Sequence, residues 1–243
     1  MQTTEFKLEF EICNTEKIKM PAIIVAAGSS HRMNGLNKQL LPIGGVPVLA
    51  RTLKAFQNSE YVSHIVLVAR GCDAEACKRL AKEYSVDKLY ATVSGGESRQ
   101  QSVLNGLRCL PENTKNVLIQ DGARPLTDNT VISAVATALK EHCAVTCAVP
   151  IKDTVKQVDK SGKVVNTPDR SSLVAVQTPQ GVRVAEYLKA LENAKDLSVF
   201  TDDMSVMEAA GYDVFTVPGS FGNIKVTTPE DIKLAEYLLS LED

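Results

Sequence analysis

The hydrophobic pattern changes period repeatedly along the chain from residue 22 onward. Short runs rich in β-branched residues predict strands, and apolar residues that recur every three or four positions predict amphipathic helices. The predicted strands are Ala22–Ala26, His64–Ala69, Lys88–Val93, Val117–Gln120 and Ala144–Pro150. The predicted helix faces consist of Val103, Leu104 and Leu107, of Ile132, Val135, Ala136 and Leu139, and of Ile232, Ala235, Leu238 and Leu239. This alternation indicates an α/β fold with a Rossmann-like, mostly parallel sheet and flanking helices.

The alternation is interrupted between residues 151 and 177. Two short polar-apolar runs, 155–158 and 163–167, flank the polar turn 159–162 and predict a β-hairpin. The hairpin has too few apolar residues to bury a core of its own, and an isolated two-stranded ribbon is marginally stable. We expect a protruding arm that packs against a second copy of the chain, or else a hairpin that folds back on its own domain.

The N-terminal residues 1–21 form an extension to the main domain, which we assign to residues 22–243 and which includes the arm at 151–177. Within the extension, apolar residues alternate with polar ones at Phe6, Leu8, Phe10 and Ile12. This pattern is compatible with a half-exposed strand and with an unpaired tail.

Composition narrows the class of protein. The chain has 243 residues, 44% of them hydrophobic, which is enough for one large domain, and its net charge of −2 predicts no nucleic-acid partner. No apolar run is long enough to span a membrane, and the N-terminus lacks an apolar signal core, so we expect a cytoplasmic protein. The six cysteines form no Cys-x-x-Cys pair, so a zinc or redox centre is not predicted.

The segment after the first strand carries the strongest functional signal. Ala26, Ala27 and Gly28 have almost no side chain, so a ligand can approach their main chain closely, and Arg32 and Lys38 add two cations. The spacing fits neither the dinucleotide fingerprint nor the Walker A loop. The segment therefore predicts a loop that holds a nucleoside triphosphate and supplies its own positive charge.

Three further polar segments follow predicted strands or precede the last helix. They contain Gly95 to Ser102, Asp121 to Pro125, and Asn223 to Thr227. Each segment alone is compatible with an ordinary turn. Because parallel strands end at one edge of a sheet, together they predict four cations (Arg32, Lys38, Arg124 and Lys225) and one acid at a site for a highly anionic ligand. Asp121 is suited to a metal ion that bridges phosphates.

The order of these motifs resembles one family. The motifs are Ala-Ala-Gly-x-x-x-Arg-Met (26–33), Lys-Gln (38–39), Gly-Gly-x-x-Arg-x-x-Ser-Val (95–103), Asp-Gly-Ala-Arg-Pro (121–125), Pro-Ile-Lys-Asp-Thr-Val-Lys (150–156), Asp-Arg-Ser-Ser-Leu (169–173), Gln-Thr-Pro-Gln (177–180), Thr-Asp-Asp (201–203) and Asn-Ile-Lys-Val-Thr-Thr-Pro-Glu-Asp (223–231). From about residue 22 to the C-terminus the chain resembles the 2-C-methyl-D-erythritol 4-phosphate cytidylyltransferase family of the non-mevalonate isoprenoid pathway. The extension is not part of this resemblance.

The resemblance implies a nucleotidyltransferase fold and the formation of 4-diphosphocytidyl-2-C-methyl-D-erythritol and pyrophosphate from CTP and the acceptor phosphate. It implies Mg²⁺ or another divalent cation, with Asp121 as its ligand, and a homodimer joined through the arm. The implied catalytic residues are Arg32, Lys38, Arg170 and Lys225. The implied CTP-binding residues are Ala26, Ala27, Gly28, Ser29, Ser30, Arg32, Lys38, Gly95, Ser102, Asp121 and Gly122. The implied acceptor-binding residues are Asp121, Arg124, Thr154, Arg170, Thr178, Thr201 and Lys225.

Two alternatives stay open at this stage. Ribitol-5-phosphate cytidylyltransferases share the first loop and the Asn-Ile-Lys-Val-Thr segment. They usually have a serine-valine pair in place of Gly122 and Ala123, and they lack the Asp-Arg-Ser-Ser pattern found at 169–172. A nucleotide-binding regulator without turnover is the second alternative, and the retained cations argue against it.

Overall fold

The structure is a computed structural model that describes residues 18–28 and 37–241. One sheet of seven strands forms its centre, and two short hairpins lie outside that sheet. The strands in the described ranges are β1 (Met20–Ala26), β2 (Pro42–Ile43), β3 (Val46–Pro47), β4 (Val62–Ala69), β5 (Leu89–Ser94), β6 (Asn116–Asp121), β7 (Ala144–Pro150), β8 (Gln157–Val158), β9 (Val164–Asn166), β10 (Val174–Arg183) and β11 (Phe215–Pro218).

The seven strands are ordered β11-β7-β10-β6-β1-β4-β5. All pairs that do not include β10 are parallel, and β10 runs antiparallel to both of its neighbours. The mostly parallel sheet predicted from the sequence is therefore confirmed. Because β1, β4, β5 and β6 are parallel, the loops that follow them meet at one edge of the sheet, which is where such folds bind ligands.

Helices cover both faces of the sheet. They are α1 (Val48–Asn58), α2 (Ala74–Glu83), α3 (Arg99–Leu107), α4 (Asn129–Ala138), α5 (Val184–Asn193), α6 (Asp203–Ala209) and α7 (Pro229–Leu239). Apolar residues of α1, α2 and α4 share one buried cluster with Ile24, whereas those of α3, α5 and α6 share another with Ile23. Successive residues of β1 thus point to opposite layers and are both buried, which explains its continuous apolar run.

The five predicted strands and the hairpin are present, with shifted ends. The hairpin consists of β8 and β9 and is shorter than the sequence suggests. Residues 174–177, which the sequence assigns to the arm, already belong to β10, and Val174 to Val176 pair with β7. Residues 20–21, assigned to the extension, begin β1. The alternating positions between Phe6 and Ile12 lie outside the described residues.

Within the described ranges, no helix is long and apolar enough to cross a membrane. The cysteines there are free thiols, and burial raises the pKa of Cys77 to about 11 and that of Cys147 to about 12. No group of three or more histidine, cysteine, aspartate or glutamate side chains in the same ranges is arranged to hold a metal ion.

Candidate active site

Asp121, the last residue of β6, lies at the centre of a group of cations. Its Oδ2 atom accepts a hydrogen bond from Nζ of Lys225 at 2.9 Å and lies 3.6 Å from Nε of Arg124. Its Oδ1 atom lies 3.5 Å from Nε of Arg99. The three cations come from different parts of the chain, and all of them approach one nearly buried carboxylate.

The electrostatic balance keeps Asp121 ionised. Burial alone raises the pKa of a carboxyl group, but the charges of Arg99, Lys225 and Arg124 outweigh it and hold the pKa of Asp121 well below its usual range. The surplus positive charge at this edge of the sheet can attract an anionic ligand.

A tight turn after β6 brings Arg124 to this carboxylate. The amide of Gly122 donates to the Val25 carbonyl at 2.8 Å, and a Cβ at position 122 would lie 3.1 Å from Cβ of Ala26. On the other side, the hydroxyl of Thr52 in α1 donates to the carbonyls of Gly122 at 3.0 Å and Arg124 at 3.1 Å. Glycine at 122 therefore allows the turn to pack closely on β1.

The segment before α7 brings in two lysines. Asn223 is buried, and its backbone carbonyl accepts a hydrogen bond from the Arg124 guanidinium at 2.6 Å. Its side-chain amide donates a hydrogen bond to the Thr178 carbonyl at 2.8 Å. Nζ of Lys38 donates to the Val226 carbonyl at 3.0 Å. Lys38 thus contacts the backbone of the residue that follows Lys225, although the two lysines are far apart in sequence.

A second wall of the site is formed by the turn between β5 and α3. The amide of Gly95 donates to the Ala69 carbonyl at 2.8 Å, and a Cβ at position 95 would clash with the side chain of Ala27. The amide of Gly96 donates to the Ser102 hydroxyl at 3.0 Å. The small residues after β1 and the glycine turn, which the resemblance implies bind CTP, therefore lie in close contact.

The structure brings most predicted site residues together. Those that lie at this edge of the sheet are Ala26, Ala27, Gly28, Lys38, Gly95, Ser102, Asp121, Gly122, Arg124, Thr178 and Lys225. Thr178 is buried, and its hydroxyl accepts from the amide of Asp121 at 3.1 Å, so it fixes the backbone at the centre of the site. The predicted residues Ser29, Ser30 and Arg32 lie outside the described residues.

Three predicted residues stand apart from this group. Thr154, Arg170 and Thr201 are exposed, and no hydrogen bond or ion pair in the described part of the chain joins any of them to Asp121. Arg170 donates instead to the Lys152 carbonyl at 2.7 Å, within the base of the arm. Within the described part of one chain, the predicted cation of the arm therefore makes no direct contact with Asp121.

Arg99 is a site residue that the sequence prediction missed. It belongs to the motif at 95–103, but that motif suggested roles only for its glycines and serine. Because Arg99 is the first residue of α3, the turn after β5 brings its side chain to Asp121 at the end of β6, although β1 and β4 lie between these two strands in the sheet. An arginine one turn after a glycine-rich strand end was the available signal.

A mostly parallel sheet whose carboxyl edge gathers cations beside a glycine-rich turn defines a nucleotide-binding α/β enzyme of the nucleotidyltransferase class. The sequence model of one family within this class, 2-C-methyl-D-erythritol 4-phosphate cytidylyltransferase (IspD), matches residues 20–241. The chain belongs to this family.

Individual relatives agree with that assignment. The chain is 41% identical over 210 residues to the 2-C-methyl-D-erythritol 4-phosphate cytidylyltransferase of Alkaliphilus metalliredigens, covering 85% of this chain and 87% of the relative. It is 43% identical over 206 residues to that of Halalkalibacterium halodurans, covering 84% and 89%. The solved structure of 4-diphosphocytidyl-2C-methyl-D-erythritol synthase from Anaerococcus prevotii superposes with a TM-score of 0.79 at 33% identity, covering 92% and 97%.

Proposed function

We propose that this chain transfers the cytidylyl group of CTP to 2-C-methyl-D-erythritol 4-phosphate and releases pyrophosphate. The observation that carries the proposal is the convergence of Arg99, Arg124 and Lys225 on Asp121, beside Lys38, in a chain of this family. A site of this charge suits a reaction in which two phosphate-bearing substrates must meet.

The chemistry needs no general base from the protein. A phosphate monoester has its second pKa near ~6, so the acceptor is largely a dianion at neutral pH and is itself the nucleophile. One of its oxygens forms a bond to the α-phosphorus of CTP while the bond to pyrophosphate breaks. Catalysis then consists of aligning the two anions and stabilising the charge that develops on the transferred group.

The cations divide between the two substrates in this proposal. Lys38 and Arg32 stabilise the charge around the triphosphate, and Lys225 and Arg170 position the acceptor phosphate. The exposure of Lys225 supports its role, because 41% of its side chain is accessible although its ammonium group contacts Asp121. It can turn toward an incoming phosphate, whereas Arg124 is enclosed and tied to the Asn223 carbonyl.

We infer that Mg²⁺ assists, held by Asp121 and the phosphates of CTP. Asp121 is ionised and lies at the ligand edge, and Mg²⁺ is commonly held by one or two carboxylates together with substrate phosphates. The absence of a multi-ligand cluster among the described residues is compatible with this mode, in which the protein supplies few ligands. The ion would neutralise charge on the triphosphate.

We further infer a homodimer in which the arm reaches the partner's active site. The exposure of Thr154 and Arg170 supports this arrangement, as do the exposed valines of the hairpin, Val158, Val164 and Val165, and those at the adjoining start of β10, Val174 and Val176. A cytoplasmic location is the matching inference, because CTP is a cytoplasmic metabolite.

The test is release of pyrophosphate from CTP and Mg²⁺ with each of two acceptors. We expect turnover with 2-C-methyl-D-erythritol 4-phosphate and a far lower kcat/KM with ribitol 5-phosphate. Preference for ribitol 5-phosphate would assign the alternative cytidylyltransferase activity. Tight CTP binding without turnover of either acceptor would assign the regulator.

A further inference from the structure

A buried series of polar contacts leads from Asp121 into the protein interior. Arg99 approaches two carboxylates, with Nε 3.5 Å from Oδ1 of Asp121 and Nη1 2.7 Å from Oδ2 of Asp203. Asp203 is fully enclosed, and its Oδ1 accepts from the hydroxyl of Tyr187 in α5 at 2.6 Å. The proposed chemistry uses neither Asp203 nor Tyr187. Burying such charges is costly, so their presence calls for an explanation.

Asp203 is held from several sides. Burial and the neighbouring Asp203 carboxylate raise the pKa of Tyr187, which keeps its hydroxyl protonated as a donor. The amide of Asp203 donates to Oε1 of Gln180 in β10 at 3.0 Å. A carboxylate fixed in this way is a rigid support for the arginine that it faces.

Arg99 joins the two segments that the proposed reaction must bring together. It follows the turn at 95–98, which we assign to the cytidine side, and Asp203 follows Thr201, which we assign to the acceptor side. A second contact ties the same segments, because the side-chain amide of Gln100 donates to the Phe200 carbonyl at 2.9 Å. Asp121 lies against the outer end of this connection.

We propose that Arg99 is a positioning residue that, held by Asp203 and Tyr187, keeps the 95–102 segment, the 200–203 segment and the Asp121 carboxylate in the one arrangement that both substrates require. The inference rests on the proposed function for the identity of those substrates. Arginine suits the task because its planar fork can face two carboxylates at once, which the point charge of lysine cannot do. Arg99 also stays with Asp121 when the more exposed Lys225 turns to the acceptor.

Four variants test the proposal. Asp203→Asn keeps the shape and the acceptor for Tyr187 but removes the charge that holds Arg99. Arg99→Lys keeps a charge without the fork, and Arg99→Gln removes it. Arg108→Gln is the matched control, because Arg108 is an exposed arginine at the other end of the same helix.

We expect Asp203→Asn and both Arg99 variants to lower kcat/KM for each substrate about 10- to 100-fold, since small misplacements of reacting groups have effects of that size. We expect the dissociation constant for CTP, measured by calorimetry, to rise as well, and Arg108→Gln to match the wild type. Thermal unfolding monitors folding in parallel. Wild-type kcat and KM in Asp203→Asn or Arg99→Lys, with or without a lower Tm, would make the contact merely structural and overturn the proposal.

The double variant Arg99→Gln/Asp203→Asn tests whether the two residues act as a unit. We expect its loss to be no larger than that of the more damaging single variant, because each change breaks the same connection. Losses that multiply would overturn the proposal. If the wild type releases no pyrophosphate with the methylerythritol acceptor, the proposed function fails, but the CTP titration still decides: unchanged CTP affinity in Asp203→Asn overturns the positioning role.

Discussion

The Asp121 site and the arm are built in opposite ways. Around Asp121, side chains from β6, α3 and the segment before α7 are tied to one another by several contacts, and all of them except the more exposed Lys225 are largely buried. In the arm, every residue of β8 and β9 is exposed, and Val158 and Val165 each keep 54% of their surface accessible. One region is completed by its own chain, whereas the other has almost nothing of its own to pack against.

This difference indicates that the Asp121 site and the arm have different roles. A cluster of charges must be rigid before the ligand arrives if it is to stabilise a transition state, and dense cross-contacts provide that rigidity. An exposed ribbon with apolar side chains lacks the contacts that would fix it, so its cation becomes useful only against another surface. The predictions below test whether that surface is the partner's site.

The largest effect is expected when one cation is removed from each region, Lys38 from the site and Arg170 from the arm. Lys38→Ala and Arg170→Ala chains should each lose about 10²- to 10³-fold in kcat, because each lacks a charge that stabilises the reacting groups. If the arm serves the partner subunit, a mixed dimer of the two variants contains one site with both cations. Co-expression should then restore about a quarter of wild-type activity, since half of random dimers are mixed and half of their sites are intact.

In the matched control, Lys160→Ala replaces Arg170→Ala as the arm variant that is co-expressed with Lys38→Ala. Lys160 is an exposed lysine in the turn of the same arm. The Lys160→Ala homodimer should be as active as the wild type. Verified mixed dimers of Lys38→Ala and Arg170→Ala that stay inactive while both chains are folded would show that Arg170 acts in its own chain or not at all.

A second prediction compares an acid in each region. Asp121→Asn should lower the free energy of unfolding by about 3 kcal/mol at pH 7, because three cations lose their buried partner. The folded-state pKa of Asp121 is depressed, so its contribution is present above the unfolded pKa near ~3.9 and is lost as the pH falls through the folded pKa. The difference from wild type should stay constant from about pH 8 to 5 and shrink below about pH 4.

Urea unfolding in EDTA-containing buffer measures this difference without bound metal. Asp169→Asn is the control, because hydrogen bonds from Ser171 lower the pKa of Asp169 in an exposed part of the arm. It should shift the transition far less at every pH. A gap between wild type and Asp121→Asn that widens on acidification would contradict the assigned charge state.

The sequence predicted the strands that are buried on both faces, since short, uninterrupted apolar runs rich in β-branched residues are typical of such strands. It did not predict β10, although that strand lies in the centre of the sheet. The reason is visible at Gln177, Thr178 and Gln180, which are buried polar residues within the strand. Their side chains bond to neighbouring strands and loops, so the apolar period that identifies a strand is absent there.

The candidate site, like the fold, was predictable only in part. Lys225, Arg124 and Asp121 follow or flank predicted elements, and the rule that parallel strands end at one edge was sufficient to group them. The Arg99–Asp203 contact was not predictable, because no local pattern links a helix start to a distant buried acid. Their proximity depends on how the 197–203 segment packs against α3, which only the tertiary structure specifies.

The smallest effect concerns the apolar surface of the arm. Val165→Glu changes an exposed side chain, so the stability of the single chain should change by no more than about 0.5 kcal/mol. If the partner covers this surface, the same change buries a charge at the interface and should raise the dimer dissociation constant about 10-fold or more. Sedimentation over a concentration series separates the two quantities. Val199→Glu is the control, because Val199 is 67% exposed and lies outside the arm. If the partner contacts the arm, only Val165→Glu should weaken the dimer. Equal weakening by Val165→Glu and Val199→Glu would therefore show that the arm is not part of the interface.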